Sequence, residues 1–172
     1  MRSNVAQLLR ASVGFTRIHE VDDLLSGLDA LNPTCAVDGE VTLVRTNRSI
    51  IVTGTLMTSL VGTCSRCLEE FTYSEAFTIT EEYFPTIDII TGRPLPAPED
   101  LSSFTIDDNH ILDLTEAVRQ YIILAMPMQP LCRKDCAGIC PVCGQNQNAQ
   151  PCDCIRDDLD SRWTVLQDLM RS

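Results

Sequence analysis

Residues 71–83 read Phe71-Thr-Tyr73-Ser-Glu-Ala-Phe77-Thr-Ile79-Thr-Glu-Glu-Tyr83. Phe71, Tyr73, Phe77, Ile79 and Tyr83 all fall on odd positions, while the even positions carry Thr, Ser, Ala, Thr, Thr and Glu. Side chains alternate between the two faces of a strand, so this spacing predicts a strand with one face in a core and the other in water. Upstream, residues 36–62 predict more of the same. Val41 and Leu43 alternate with polar neighbours, and Ile50, Ile51, Val52, Leu56 and Met57 form a β-branched-rich run interrupted by Gly54. Asn47-Arg48 between the two runs predicts a hairpin turn. Residues 1–30 are less decided: Val5, Leu8 and Leu9 suit a helix or a strand, and Phe15 to Val21 suit an edge strand.

The pattern changes after residue 84. Pro85, Pro94, Pro96 and Pro98, with Gly92 and several acids, predict a loop or mobile insertion over 85–110. A helix is expected over 113–126, opened by an Asp113-x-x-Glu116 capping box and closed by Pro127. Leu114, Val118, Tyr121, Ile122 and Ala125 share one face of it. Its last turns, with Ile123, Leu124 and Met126, are apolar nearly all round and predict deep burial. A second short helix is expected over 161–170, capped by Asp160, with Trp163, Leu166, Leu169 and Met170 on its apolar side. The fold class is therefore α+β. It comprises a small antiparallel sheet or partial barrel with a packed helix over residues 1–130, and a cysteine-rich tail over 131–172.

The tail carries the chemistry. The chain has nine cysteines. Cys35 stands apart and reads as a small hydrophobe. The other eight follow the pattern Cys64-x2-Cys67, then Cys132-x3-Cys136-x3-Cys140-x2-Cys143-x8-Cys152-x-Cys154. Cys140-Pro-Val-Cys143-Gly144 has the form of a zinc knuckle: a two-residue gap lets both sulfurs reach one ion at about 2.3 Å. Gly144 permits the left-handed backbone that turns amide groups toward the sulfurs. The following loop, Gln145 to Pro151, is polar and has no apolar residues from which to build a core, so a metal is the expected organiser. The economical partition assigns Cys140, Cys143, Cys152 and Cys154 to one zinc ion, and Cys64, Cys67, Cys132 and Cys136 to another. A rival partition joins Cys132 and Cys136 with Cys140 and Cys143, and disulfides are a further alternative. A redox dithiol at Cys64-Ser-Arg-Cys67 is also open. The strand pattern that follows lacks the helix N-terminus on which such thiols depend.

No phosphate-binding glycine loop, dinucleotide fingerprint or nucleophile elbow is present, and His19 and His110 have no partner at a recognisable spacing. No apolar run approaches the 18 residues of a membrane span, and the first residues lack a secretory apolar region, so a reducing, cytoplasmic setting is the expectation. The net charge is −11, and it is concentrated. Residues 69–116 hold twelve acids against Arg93 alone, so a basic partner is favoured over the phosphate backbone of a nucleic acid. Arg45, Arg48 and Arg66, with Arg133 and Lys134, offer at most a small phosphate-facing patch.

Cys64-Ser-Arg-Cys67-Leu-Glu-Glu-Phe71 resembles the Cys-x-Arg-Cys-Leu-x-x-Phe signature of the YceD family, the large-ribosomal-RNA accumulation proteins. Asn4 to Leu9, Val41 to Leu56, Asp113-Leu-Thr-Glu116 and the tail from Leu131 to Asn148 are similar to it as well. The resemblance implies a role in accumulation or processing of large-subunit ribosomal RNA and in assembly of that subunit, without supplying a reaction. The expected protein is a non-catalytic binding factor with no small-molecule substrate. Its partner would be a basic ribosomal protein or assembly factor, with a large-subunit RNA precursor as a further candidate. The alternatives are a thiol oxidoreductase or redox sensor on Cys64 and Cys67, and a zinc-stabilised interaction module unrelated to ribosomes.

Overall fold

The computed structural model describes residues 1–98, 100 and 102–154. The expected helix over 161–170 lies outside the described residues. Among the described residues the chain divides into two compact units: one is built from residues 1–62 and 70–130, the other from 63–69 and 131–154. The turn that holds Cys64 and Cys67 thus belongs with the cysteine-rich residues.

In the first unit, β1 (Arg2–Asn4) and α1 (Ala6–Arg10) precede the long strands β2 (Thr16–Ser26), β3 (Thr34–Arg45), β4 (Ile50–Thr63) and β5 (Glu70–Pro85). β6 (Phe104–Ile106), β7 (Ile111–Asp113) and α2 (Thr115–Ala125) follow. A curled five-stranded sheet runs in the order β2-β3-β4-β5-β6, and β1 pairs with β7 in a separate two-stranded sheet. The β2–β3 and β3–β4 pairings are antiparallel, whereas β6 runs parallel to β5 over Tyr83 to Pro85.

The alternation read in 71–83 orients β5. Phe77, Ile79 and Tyr83 are buried, Phe71 and Tyr73 are half-buried, and the even positions face water until Glu82, which is half-buried. On β3 and β4 the same rule buries Val37, Val41 and Leu43 against Ile50, Val52, Leu56 and Leu60. Gly39 and Gly54 also face inward, and a Cβ at Gly54 would lie 2.2 Å from the Glu40 carbonyl oxygen. The missing side chains let the two backbones approach closely. Thr46 to Ser49 make the turn, with the Thr46 N–H donating to the Ser49 carbonyl at 3.0 Å. The unsettled N-terminal residues form β1, α1 and a β2 longer than the edge strand expected there.

Three readings need correction. The stretch 85–110 is not wholly loop, because Phe104–Ile106 join the sheet as β6 and bury Ile106. The helix also starts later than its acid pair suggests. Asp113 lies in β7, Leu114 is the N-cap with no side-chain cap, and Asp113 Oδ1 accepts from the Thr115 N–H at 2.9 Å. Glu116 instead faces Arg119 at 3.3 Å. Leu114, Val118 and Ile122 pack into the core as expected. The all-round burial of the last turns does not occur: Ile123 is 51% and Leu124 79% exposed. Only one stripe of an eleven-residue helix meets the sheet, and an apolar run around the remaining circumference stays in water.

The outer face of the sheet shows a charge pattern that summed charge conceals. Glu20 is registered opposite Glu40, and Asp22 opposite Asp38. All four are exposed, and among the described residues none has an ion pair or side-chain hydrogen bond. Like charges directly opposite on neighbouring strands are destabilising.

Candidate metal centre

The second unit is built around two turns of the same kind. In the first, which joins β4 to β5, the Leu68 N–H donates to the Cys64 carbonyl at 2.9 Å and the Cys64 N–H to the Glu69 carbonyl at 2.9 Å. In the second, the Gly144 N–H donates to the Cys140 carbonyl at 2.8 Å and the Cys140 N–H to the Gln145 carbonyl at 2.8 Å. The residue after the second cysteine is left-handed in both: φ is 62° at Leu68 and 74° at Gly144. The sequence advertises this conformation only at Gly144, where a missing Cβ makes it inexpensive. At Leu68 the same backbone costs about 1–2 kcal/mol.

Each turn brings two sulfurs together, and more distant residues bring two more. Cys64, Cys67, Cys132 and Cys136 form one group, and Cys140, Cys143, Cys152 and Cys154 form another. Within each group the four sulfurs lie within 4.8 Å of one another. Cys132 and Cys136 therefore meet Cys64 and Cys67, not the neighbouring pair at 140 and 143. The first group is well shielded, with Cys64 fully buried, whereas Cys143 in the second is exposed. Cys35 lies apart, in the core of the first unit.

The distances discriminate between the chemistries left open. Cys64 Sγ is 3.8 Å from Cys136 Sγ, and Cys67 Sγ is 3.7 Å from Cys132 Sγ. A disulfide needs about 2.05 Å. A regular tetrahedron of sulfurs at about 2.3 Å from a zinc ion has edges of about 3.8 Å. The donor set and its spacing fit a four-coordinate thiolate site.

Ionisation within the groups is uneven. Backbone N–H groups of Cys132, Cys67 and Arg66 converge on the Cys64 sulfur and pull its thiol down to about 6 against the opposing effect of burial. The N–H groups of Cys143 and Val142 do the same for Cys140, also to about 6. Burial and the neighbouring sulfurs push Cys132 up to about 12, and the crowding of Cys143 and Cys152 pushes Cys154 up to about 12. Cys64 and Cys136 are lowered in the first group and Cys140 in the second, while each group also holds raised thiols, so full deprotonation of either group is opposed. A divalent cation removes that opposition by supplying the missing positive charge.

Several residues that hold the sulfurs give little sign of it in the sequence. Asn148 Nδ2 donates to Cys136 Sγ at 3.2 Å, which helps to lower the Cys136 thiol although burial works against it. Arg66 Nη1 donates to the Cys136 carbonyl at 3.0 Å, and Arg133 Nη2 donates to Asn148 Oδ1 at 2.6 Å. Two of the bases considered for a phosphate-facing patch are therefore engaged in bracing the first group. In the first unit, Arg45 donates to the Ser49 carbonyl at 3.1 Å and Arg48 lies 5.8 Å from the centre of the Phe84 ring. Spacing locates ligands; it has no comparable rule for an asparagine twelve residues away.

The fold and this centre define a class: a β-sheet protein that carries a cysteine-rich unit with two four-thiol groups, each able to hold a metal ion. The chain belongs to the YceD family, whose model, described as large ribosomal RNA subunit accumulation protein YceD, matches residues 52–170. An uncharacterized protein of Mycobacterium tuberculosis is 26% identical over 174 residues, covering 99% of this chain and 81% of the relative. One from Mycobacterium leprae is 25% identical over 125 residues, or 72% of this chain and 54% of the relative. The chloroplastic large ribosomal RNA subunit accumulation protein YCED homolog 1 of Arabidopsis thaliana is 31% identical over 58 residues, which are 34% of this chain and 18% of that protein. No solved structure matches the chain. Among the described residues, no helix is long and apolar enough to cross a membrane.

Proposed function

We propose that this protein is a non-catalytic factor that supports accumulation of large-subunit ribosomal RNA and assembly of that subunit, in the cytoplasm. The observation that carries the reading is the family match over residues 52–170, whose description names accumulation of the large ribosomal RNA subunit. In this reading, Cys64, Cys67, Cys132 and Cys136 hold one zinc ion and Cys140, Cys143, Cys152 and Cys154 hold a second. Both ions are structural: with all four positions taken by thiolates, neither keeps a site for substrate. No membrane and no small-molecule substrate take part.

The partner in this reading is a basic ribosomal protein or assembly factor, for which the outer sheet face is the favoured surface. Many acids of the 69–116 band have local duties that limit their use for a partner. Asp88 and Asp100 accept from their own turns, Asp113 faces Arg2 at 2.7 Å, and Glu82 accepts from Ser49. The exposed Glu20, Asp22, Asp38 and Glu40 have no such duty among the described residues, and Ile18, Leu24 and Met57 are exposed on the same face. A segment rich in lysine and arginine would relieve the repulsion between the facing acids. With Arg66 and Arg133 engaged in the cysteine-rich unit, direct contact with precursor RNA is the weaker option.

The test combines depletion with capture. Depletion lowers mature large-subunit RNA relative to small-subunit RNA, and capture from lysate at moderate salt recovers large-subunit proteins or precursor RNA. Unchanged RNA ratios, with neither class recovered across several salt concentrations, reject the proposal. Against the redox alternative stands the full burial of Cys64 in a four-thiol group. Free reactive thiols at Cys64 or Cys67 in the metal-loaded protein would revive it.

A further inference from the structure

Residues 138–147 form a short hairpin whose tip is the second cysteine turn. Ile139 and Asn146 pair antiparallel, and the Gln147 N–H donates to the Gly138 carbonyl at 2.9 Å. A hairpin this short is marginal by itself in water. Its tip lies between Cys140 and Gln145, so metal held by Cys140 and Cys143 would close it.

The base of the same hairpin is fastened to the first group at several points. On one arm, the Ile139 N–H donates to the Arg66 carbonyl at 3.1 Å, and Arg66 sits between Cys64 and Cys67. Gly138 makes this approach possible: its φ is +79°, and a Cβ there would lie 3.1 Å from the Arg66 carbonyl oxygen. On the other arm, the residue after Gln147 is Asn148, whose Nδ2 reaches Cys136 Sγ at 3.2 Å. The Asn148 side chain is oriented from both sides. Its Oδ1 accepts from the Ala137 N–H at 2.8 Å and from Arg133 at 2.6 Å, and Asn146 Oδ1 accepts from both the Asn148 N–H and Nδ2 at 2.9 Å.

From this geometry we infer that the two metal sites are coupled: filling the Cys140, Cys143, Cys152 and Cys154 site tightens metal binding at Cys64, Cys67, Cys132 and Cys136, with Asn148 as the positioning residue. The inference rests on the zinc reading above. An ion at the hairpin tip holds Ile139 and Asn146 in register, and Asn146 in turn holds the Asn148 amide on the Cys136 sulfur. An amide donor steadies the thiolate and fixes its direction, the role that outer hydrogen bonds play around bound metals. Binding linkage is reciprocal, so the first site tightens the second by the same factor.

The full chain provides the test, with zinc as the probe. Free zinc is lowered with a buffered chelator, and protection of each cysteine from alkylation is read peptide by peptide by mass spectrometry. This separates the two groups without needing activity. Asn148→Asp keeps an acceptor at Oδ1 but loses the donor, and should raise the zinc concentration for half-protection of the first group about 10–100-fold. Cys140→Ser with Cys143→Ser disables the second site and should raise the first group's midpoint about tenfold or more, within the usual range of coupling between sites. The triple variant should be little worse than the more severe parent, because both changes break the same connection. The sheet signal in circular dichroism, unchanged in every variant, confirms that the first unit remains folded.

A first-group midpoint within twofold of the unmodified protein in the Cys140→Ser, Cys143→Ser variant overturns the coupling and leaves the zinc reading intact. Multiplying effects in the triple variant overturn the role of Asn148 in it. Fewer than two zinc ions per unmodified chain reject the two-site reading, and the coupling with it.

Discussion

The two units are held together by different physics. In the first, β3, β4 and β5 interlock apolar side chains, and Tyr83, Leu43, Ile50, Leu56 and Ile79 are fully buried. In the second, across 131–154, the buried residues are Cys136, Gly138 and Cys140. A unit with so little apolar burial has almost no hydrophobic driving force. In the proposed reading, thiolates around an ion supply the organisation that packing supplies elsewhere. On that reading, one chain carries a unit whose stability follows temperature and denaturant beside another whose stability would follow free metal and thiol oxidation.

The largest expected effect breaks this comparison open. Removing metal with a strong chelator should unfold the cysteine-rich unit, since structural zinc contributes about 10–16 kcal/mol in small zinc-organised peptides. Amide hydrogen exchange should then show protection lost over 131–154 and kept over β3 to β5. Equal loss in both units would mean that they do not differ in this way. The converse experiment is Leu56→Ala, which empties a fully buried position. It should destabilise the first unit by about 2–5 kcal/mol in denaturant unfolding, with zinc content unchanged.

A finer comparison lies within the second unit, between its two turns. Gly144→Ala places a Cβ on a left-handed residue and should weaken that site by about 1–2 kcal/mol, seen as earlier zinc release in a chelator titration. Leu68→Gly relieves the corresponding strain in the first turn. Leu68 is 62% exposed and has little packing to lose. The relief is offset by the added freedom of glycine in the unfolded chain, so the net change should stay within about 1 kcal/mol. A large loss on Leu68→Gly would show that the two turns are not equivalent.

The smallest effect concerns pH. The Asp113 carboxyl is opposed by burial but held below its usual range by Thr115 and Arg2. Its folded value therefore lies below its unfolded one. The stability it contributes is present above the unfolded carboxylate range and is lost as pH falls through the folded value. Asp113→Asn should flatten the acid limb of first-unit unfolding below about pH 4. An unchanged acid limb would assign that loss to other carboxylates.

Much of this was legible in order along the chain. Alternation in 71–83 sets which face of β5 is buried because strand periodicity is local, and Cys140-Pro-Val-Cys143-Gly144 describes its own turn for the same reason. The Leu68 turn was less visible, since leucine does not announce a left-handed backbone. The exposed Ile123 and Leu124 misled because an apolar run records what a residue prefers, not whether a partner surface reaches it.

The sequence by itself determined the strand-forming runs, the hairpin at 46–49, the apolar stripe of the helix and the presence of eight thiols at ligand spacing. Each depends on neighbours a few residues apart. Tertiary structure alone decided which four sulfurs meet, because Cys64 and Cys136 are 72 positions apart and several pairings satisfy the same spacing. It also decided that Glu20 faces Glu40 across a strand pair, and that Asn148 lies against Cys136. These are facts of register and chain reversal, and they come into being only when distant segments share the same few ångströms.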